Sequence, residues 1–406
     1  MWRRTSAQLA DAAELVPAYA SPTIAARISH ASRRIAIVGP GWSSLVRLRG
    51  DFIAGLLNNY HRVLCLAPDD PTDPAGHHVR HLEELGAICA RFQFRPDGLH
   101  PLADRKTVGA LKAKLADWRP HAVLAYQNKA MLLAAIAARK ARVPRIVLLA
   151  SDLGEALGGS GQPGWRWRRL MRAGLSRSHA VIFHNRSDLQ RISGLFPLPA
   201  ATSATVVPGA GVDLIRYRPL PLPSVLGGLT FLMVSPLRRE KGVIEFCQAA
   251  RKVRSIWPQT RFVLAGPQGV GASALRPDDL AGFADCVEMR GDHHDVRPLF
   301  EDAHVVVQPS WREGMSRILL EALASGRPVI ASDVPGCREA ADVRVNGILV
   351  PPRDADALAA AIVNVIERPE LLASMARASR LKAERLFDVR EVNASLGHVL
   401  GLDYLG

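Results

Sequence analysis

The chain lacks an uninterrupted apolar run long enough to cross a bilayer. Its longest apolar stretch, Met131 to Ala150, is broken by Arg139, Lys140, Arg142 and Arg145, and a spanning helix needs about 20 consecutive apolar residues. Cysteine is sparse: Cys65, Cys89, Cys247, Cys286 and Cys337 are scattered, with no C-x-x-C spacing. That pattern argues against a zinc knuckle, a redox dithiol or a secreted disulfide scaffold, and it fits a reducing cytoplasm. The opening MWRRTSAQLADAAELV is basic but has no secretory apolar core. We read residues 1–32 as a polar, Ala-rich extension, partly helical and outside the fold. Metal-ligand spacing is also wanting. His77-His78 and His293-His294 are adjacent pairs that point poorly at one ion, and DDPTD (69–73) sits among prolines, so no metal is expected. Acidic residues are outnumbered, 38 against 52 basic ones, for a formal charge of +14. A field of that sign predicts anionic partners without naming one. No nucleic-acid motif or aromatic stacking platform accompanies it, so nucleic acid is set aside.

What is present is a globular composition, 48% hydrophobic and 22% charged over 406 residues, enough for two or three domains. Short β-branched runs recur at 34–39, 62–68, 121–127, 145–151 and 179–185. After the proline-rich RYRPLPLPSVLGG (216–228), a second series follows at 229–235, 261–266, 304–310, 328–332 and 347–352. Continuous apolar strands alternating with helical segments predict parallel sheets covered on both faces. Two such series predict an α/β protein of two doubly wound domains, 33–215 and 229–376, with a cleft between them. Ligands in such sheets bind beyond the carboxyl ends of the strands.

Three segments stand out on that basis, and a fourth by its concentrated charge. GPGWSS (39–44), after the first strand, partly matches a dinucleotide turn but has Ser44 where a third glycine would stand; Gly41 is the candidate contact for a phosphate or an acceptor, with a ligand-free tight turn equally open. SPLRREKG (235–242) puts Arg238, Arg239 and Lys241 at a strand end, placed to neutralise a diphosphate, or simply solvated. In WREGMSRILLEALASG (311–326) a carboxylate, Glu321, interrupts an apolar helical run. The amides of Gly314, Met315, Ser316 and Arg317 at that helix N-terminus favour phosphate or sugar oxygens, and Glu313 and Glu321 could each accept hydrogen bonds from vicinal hydroxyls. Alternatively, Glu321 pairs with Arg317 or Arg327. The fourth, GWRWRRLMRAG (164–174), interleaves Trp165 and Trp167 with Arg166, Arg168, Arg169 and Arg172, on a short helix either of membrane-interface composition or simply solvated with its tryptophans tucked into the fold.

The string EGMSRILLE with ALASGRPVIASDVPGCREA after it, and NGILVPPRD further on, resembles the donor-binding signature of family 4 glycosyltransferases, which have the two-domain GT-B fold. LRGDFIAGL, AYQNKAMLLAAIAARKARVPRI, GAGVDLIRYRPLPLP and EKGVIEF are similar to segments of bacterial members that add an N-acetylhexosamine or related sugar to an undecaprenyl-diphosphate-linked saccharide. The resemblance implies that residues 377–406 return to the first domain. It makes Glu313 the contact to the donor sugar, Glu321 the contact to the ribose and Lys241 the diphosphate lysine. It places Lys129 toward the acceptor diphosphate and makes Glu339 a structural turn residue. Retaining, metal-independent transfer from a nucleotide-sugar co-substrate, a UDP-sugar, is implied, with no other cofactor. One position departs: Pro236 stands where the family usually has arginine, and Arg238 or Arg239 is expected to replace it. The acceptor lipid implies an anionic membrane surface as partner and a peripheral place on the inner face of the cytoplasmic membrane. A nucleotide-sugar 2-epimerase and a non-catalytic GT-B binding subunit are the alternatives.

Overall fold

A computed structural model of the chain describes residues 32–69, 73, 75–96, 98–150, 164–271, 273–293 and 295–402; nearly all of the predicted N-terminal extension lies outside them. Each apolar run becomes a parallel strand. In the first domain these are β1 (Arg34–Val38), β2 (Arg62–Ala67), β3 (Ile88–Arg91), β4 (Ala122–Tyr126), β5 (Arg145–Ala150), β6 (Ala180–Phe183) and β7 (Ser203–Val206), in the order β3-β2-β1-β4-β5-β6-β7. In the second they are β8 (Thr230–Val234), β9 (Arg261–Ala265), β10 (Glu288–Met289), β11 (Val305–Gln308), β12 (Val329–Ser332) and β13 (Gly347–Val350), in the order β10-β9-β8-β11-β12-β13. Three of these were not predicted: β3, β7 and β10. All three lie at sheet edges and are partly or largely exposed. An edge strand needs no continuous apolar run, so ICAR, SATV and EM carry none.

Helices cover both faces. On the first sheet, Pro101–Trp118, Asn128–Lys140 and Trp165–Leu175 build one core with β-strand residues such as Val123 and Leu148. The helix Trp42–Asn58 builds the other, through Trp42, Leu45, Phe52, Ile53 and Leu56. Between β1 and β4 the strand order reverses, which makes the carboxyl ends of these two strands the switch point where a crevice opens.

The chain passes between the domains twice, side by side. The Val212 amide donates to the Phe387 carbonyl (2.8 Å) and the Val389 amide to that of Val212 (3.1 Å). Gly211 permits this approach: its φ is +74°, and a Cβ there would lie 2.6 Å from Val389 Cα. Two predicted boundaries need correction. Val212 and Tyr217 already pack with Phe300, Leu320 and Phe387 of the second domain, so the first domain ends before 212 and not at 215. The predicted break at 376/377 falls inside the helix Leu372–Leu386, which packs on the second-domain helix Arg317–Ala324. Among the described residues the return to the first domain begins at Val389–Val399, which buries Val392 and Leu396, with Leu400 and Leu402 just beyond, in the core of the Trp42–Asn58 face. Each such side chain contributes about 1.5–3 kcal/mol to the tether.

Candidate active site

The loops after β8 and β11 meet at one ion pair. Lys241 Nζ lies 2.6 Å from Glu313 Oε1, and the same oxygen accepts from Ser310 Oγ at 2.9 Å and from Gln308 Nε2 at 3.4 Å. Gln308 Nε2 in turn donates to Ser310 Oγ at 2.6 Å. Two glycines bring these loops together. Gly242 has φ +78°, and a Cβ there would sit 2.0 Å from the Pro309 carbonyl oxygen. Gly336 approaches the glutamate loop so closely that a Cβ would lie 2.5 Å from the Glu313 carbonyl oxygen, while its amide donates to that oxygen at 3.0 Å. Glu313 is therefore fixed by backbone and side chain alike, its carboxylate largely covered and one oxygen committed to Lys241.

Sequence reasoning missed Gln308, Ser310 and Gly336, although all lie in strings it singled out. The available signal was position: Gln308 and Ser310 are polar residues ending an apolar strand at its carboxyl edge.

The neighbouring arginines do not join this pair. Arg238 binds Glu240, and its Nε donates to Ser273 Oγ at 3.1 Å; Arg239 pairs with Asp279 at 2.9 Å. Both are held by side chains of their own domain, so the expected replacement for the arginine lost at Pro236 is not formed by either here.

Ser316 caps the helix Arg317–Ala324 without a side-chain hydrogen bond, and Gly326, at φ +70°, follows its end. Glu321 is 6% exposed. Arg317 Nε donates to its Oε1 at 2.7 Å. Burial works against the Arg317 charge, but Glu321, Tyr217 and, from the first domain, Asp51 outweigh it and hold its pKa above the usual value. Burial first, then the Glu321 carboxylate, pushes the Tyr217 phenol pKa up. Arg327 is excluded as the partner: it is buried and donates to the carbonyls of Phe300, Leu220 and Pro221, which anchors the proline-rich connector.

The first domain closes on the same loop. Asn185, N-cap of the helix Arg186–Leu195, donates from Nδ2 to the Gly314 carbonyl at 3.0 Å. Met315 packs on Gly209, whose missing Cβ leaves room for it: a Cβ there would lie 2.6 Å from Met315 Cγ. Gly41 is the extended N-cap of the Trp42–Asn58 helix, which has no acidic residue in its first turn and no side-chain cap.

Lys129 is displaced from its expected role. It is 2% exposed, paired with Asp104 at 2.6 Å and donating to the Arg95 carbonyl at 3.0 Å. It thus ties the Arg95 backbone to the helix Pro101–Trp118 rather than presenting a charge to solvent. Beside it lies a cavity of about 760 Å³ lined by Phe94, Arg95, His100, Leu102 and Lys106 among others. The cavity lies beyond β2 and β3, apart from the Lys241–Glu313 pair. Asp73 of the DDPTD run accepts from the His77 and His78 amides and the His78 ring, starting a helix and fitting a structural loop; residues 70–72 are not described.

The helix Trp165–Leu175 splits its tryptophans. Trp165 is 69% exposed with Arg166 stacked 5.3 Å from its ring centroid, and Arg169 and Arg172 are exposed. Trp167 instead packs against the first-domain core and Arg168 is half-buried, so neither stands on the exposed face expected of it.

A crevice between two parallel-sheet domains, with a lysine–glutamate pair and a helix N-terminus on one side, defines a glycosyltransferase of GT-B type. The chain belongs to the family 4 glycosyltransferases: the glycosyl transferase 4-like domain matches residues 49–210 and the glycosyl transferases group 1 model matches 228–368. It is 23% identical over 359 residues to the N,N'-diacetylbacillosaminyl-diphospho-undecaprenol alpha-1,3-N-acetylgalactosaminyltransferase of Campylobacter jejuni, covering 85% of this chain and 92% of that one. To the D-inositol 3-phosphate glycosyltransferase of Saccharomonospora viridis it is 34% identical over 210 residues, 48% of this chain and 44% of the relative. Among solved structures, HepE of Anabaena in complex with UDP superposes with a TM-score of 0.71 at 19% identity, over 91% of this chain and 99% of that one. Sucrose-phosphate synthase of Thermosynechococcus elongatus gives 0.71 at 22% identity over 90% and 98%. At these identities the structural likeness speaks to the fold alone.

Proposed function

We propose that the chain is a retaining, metal-independent glycosyltransferase that moves an N-acetylhexosamine or related hexose from a UDP-sugar to a polyprenyl-diphosphate-linked saccharide. The observation that carries this reading is the Lys241–Glu313 pair beside the Gly314–Ser316 amides at a helix N-terminus. Glu313 exchanges its lysine for the donor sugar hydroxyls. Lys241, released from the carboxylate, meets the diphosphate, and the helix amides take its remaining oxygens. The anomeric C–O bond to diphosphate breaks, the acceptor hydroxyl bonds to that carbon from the same face, and its proton passes to the departing phosphate oxygen. Catalysis on this scheme is stabilisation of the leaving group by fixed protein charges. Glu321, with Arg317 turning aside, receives the ribose hydroxyls.

The acceptor belongs on the first domain. The cavity beside Phe94 and Leu102 combines an apolar wall with Arg95, His100 and Lys106, the chemistry of an isoprenoid diphosphate. The named substrate of the Campylobacter relative, a diphospho-undecaprenol saccharide, supports the same choice. Leu102, 81% exposed, and Trp165 stand at helix starts on the carboxyl edge of one sheet face, which suits docking on the anionic inner face of the cytoplasmic membrane in cell-surface glycan assembly. Among the described residues no helix is long and apolar enough to span a membrane.

Incubation with a panel of UDP-, GDP- and ADP-sugars and a short-chain polyprenyl-diphosphate saccharide, read by mass spectrometry, tests the proposal. Acceptor extended by one hexose unit with α-configuration retained is expected. Donor consumed to give a 2-epimer, or no product from any pair, would overturn it.

A further inference from the structure

Behind the first-domain side of the crevice lies a buried charge with no counter-charge among the described residues. Arg49, on the Trp42–Asn58 helix, is 2% exposed. Its Nε and Nη1 have no hydrogen-bond partner, and no carboxylate pairs with it among the described residues. Burial drags its pKa down to about 10, against a smaller opposing pull from Tyr126. An uncompensated buried guanidinium costs several kcal/mol, and an apolar residue of the same volume would remove that cost, so the fold does not call for an arginine here.

Its surroundings point to what does. The guanidinium carbon lies 5.5 Å from the centroid of the Tyr126 ring, at the end of β4. Tyr126 Oη is 3.2 Å from Ser44 Oγ in the first turn of the same helix, and a Cβ on Gly39 would touch that oxygen. Arg49 thus reaches back along its helix toward the β1–β4 switch point. Close by, the buried His184 Nδ1 also has no partner, and the next residue, Asn185, binds the Gly314 carbonyl of the glutamate loop.

We propose that Arg49 binds the diphosphate of the nucleotide-sugar donor from the first domain, and so supplies the second cation that Pro236 leaves missing. This inference rests on the transferase reading above. A diphosphate carries at least two negative charges; Lys241 supplies one positive charge, and Arg238 and Arg239 are engaged elsewhere. Two of its nitrogens untethered, the Arg49 side chain turns into the crevice by losing no hydrogen bond from them, and bidentate contact with phosphate oxygens replaces a buried charge with a paired one. Domain closure then brings opposing cations onto one diphosphate.

The test uses the full chain and its Arg49→Met and Arg49→Lys variants. Thermal unfolding is followed alone, with UDP, and with farnesyl diphosphate as an acceptor-type probe; kcat and KM are measured with the donor found active. Arg49→Met is expected to unfold at or above the wild-type temperature without ligand, to lose at least half of the UDP-induced shift, to keep the farnesyl diphosphate shift, and to lose about a hundredfold in kcat/KM, with Arg49→Lys between the two. A Met variant that unfolds earlier while keeping its UDP shift and turnover overturns the proposal, as does loss of the farnesyl diphosphate shift alone. Where Arg49→Met fails to fold, Arg49→Lys decides: a diminished UDP shift at unchanged ligand-free stability supports the assignment, an undiminished one removes it. A wild-type chain that responds to no nucleoside diphosphate overturns the transferase reading itself, and this inference with it.

Discussion

The two walls of the crevice are furnished in opposite ways. On the second-domain side both carboxylates are already paired, Glu313 with Lys241 and Glu321 with Arg317, so the wall is electrostatically settled before any ligand arrives. On the first-domain side a buried cation, Arg49, and a buried imidazole, His184, keep polar atoms without partners. The difference separates two ways of storing a binding site. A paired site holds its geometry and exchanges one partner for another; an unpaired one is incomplete until the ligand completes it. On the proposed reading the first suits placement of hydroxyls, the second capture of charge.

The largest expected effect falls on the paired wall. Replacing Glu313 by Ala would remove the proposed sugar contact and the ion pair with Lys241, and turnover is expected to fall by about 10²–10³-fold, measured as nucleoside diphosphate released, with the fold unchanged by circular dichroism. Gly336→Ala comes next. Its Cβ would press on the Glu313 and Gly314 carbonyls, so the loop must shift; we expect roughly 1–3 kcal/mol of destabilisation by denaturant titration together with at least a tenfold lower kcat/KM. An unaltered rate would show that the loop need not be held so closely.

On the unpaired wall, His184 makes stability depend on pH. Burial holds its pKa down to about 3 from an ordinary 6.5, with the nearby Arg49 charge acting in the same direction. Between those two values the unfolded chain binds a proton that the folded chain refuses. Stability therefore falls as pH drops from about 6.5 toward 3, by about 1.4 kcal/mol per pH unit for this group. His184→Gln should flatten the pH dependence of unfolding by that slope, while His61 and His304, lowered in the same direction by burial, keep their shares. The last effect is confined to vesicle binding: replacing Arg166, Arg168, Arg169 and Arg172 by Ala should weaken sedimentation with anionic vesicles by about 1 kcal/mol per exposed arginine, leaving solution turnover on a soluble acceptor intact. Unchanged vesicle binding would detach this helix from the membrane.

Much of this was legible in the sequence, and the limits have physical causes. Ten of the thirteen strands announce themselves because a strand covered on both faces must be apolar throughout; β3, β7 and β10, at edges, need not be. Lys241, Glu313 and Glu321 stand out because they are charges at strand ends or in an apolar helix. Glu321 was readable as far as its two candidate partners, and three-dimensional packing chose Arg317 by committing Arg327 to backbone carbonyls. Lys129 was misread because its partners, Asp104 and the Arg95 carbonyl, are distant in sequence. Arg49 was invisible for the opposite reason: inside RLRGDF it looks like any surface arginine, and only the fold reveals that it is buried with no carboxylate beside it among the described residues.

The central claim is that the crevice places a nucleotide sugar with its hexose on Glu313. Calorimetric titration of UDP and of the corresponding UDP-sugar into wild type and Glu313→Ala tests it directly. The account predicts that UDP binds both proteins with similar affinity, and that the additional affinity conferred by the sugar is present in wild type and lost in the variant. An undiminished sugar contribution in Glu313→Ala, or no binding of any nucleoside diphosphate to wild type, would contradict it.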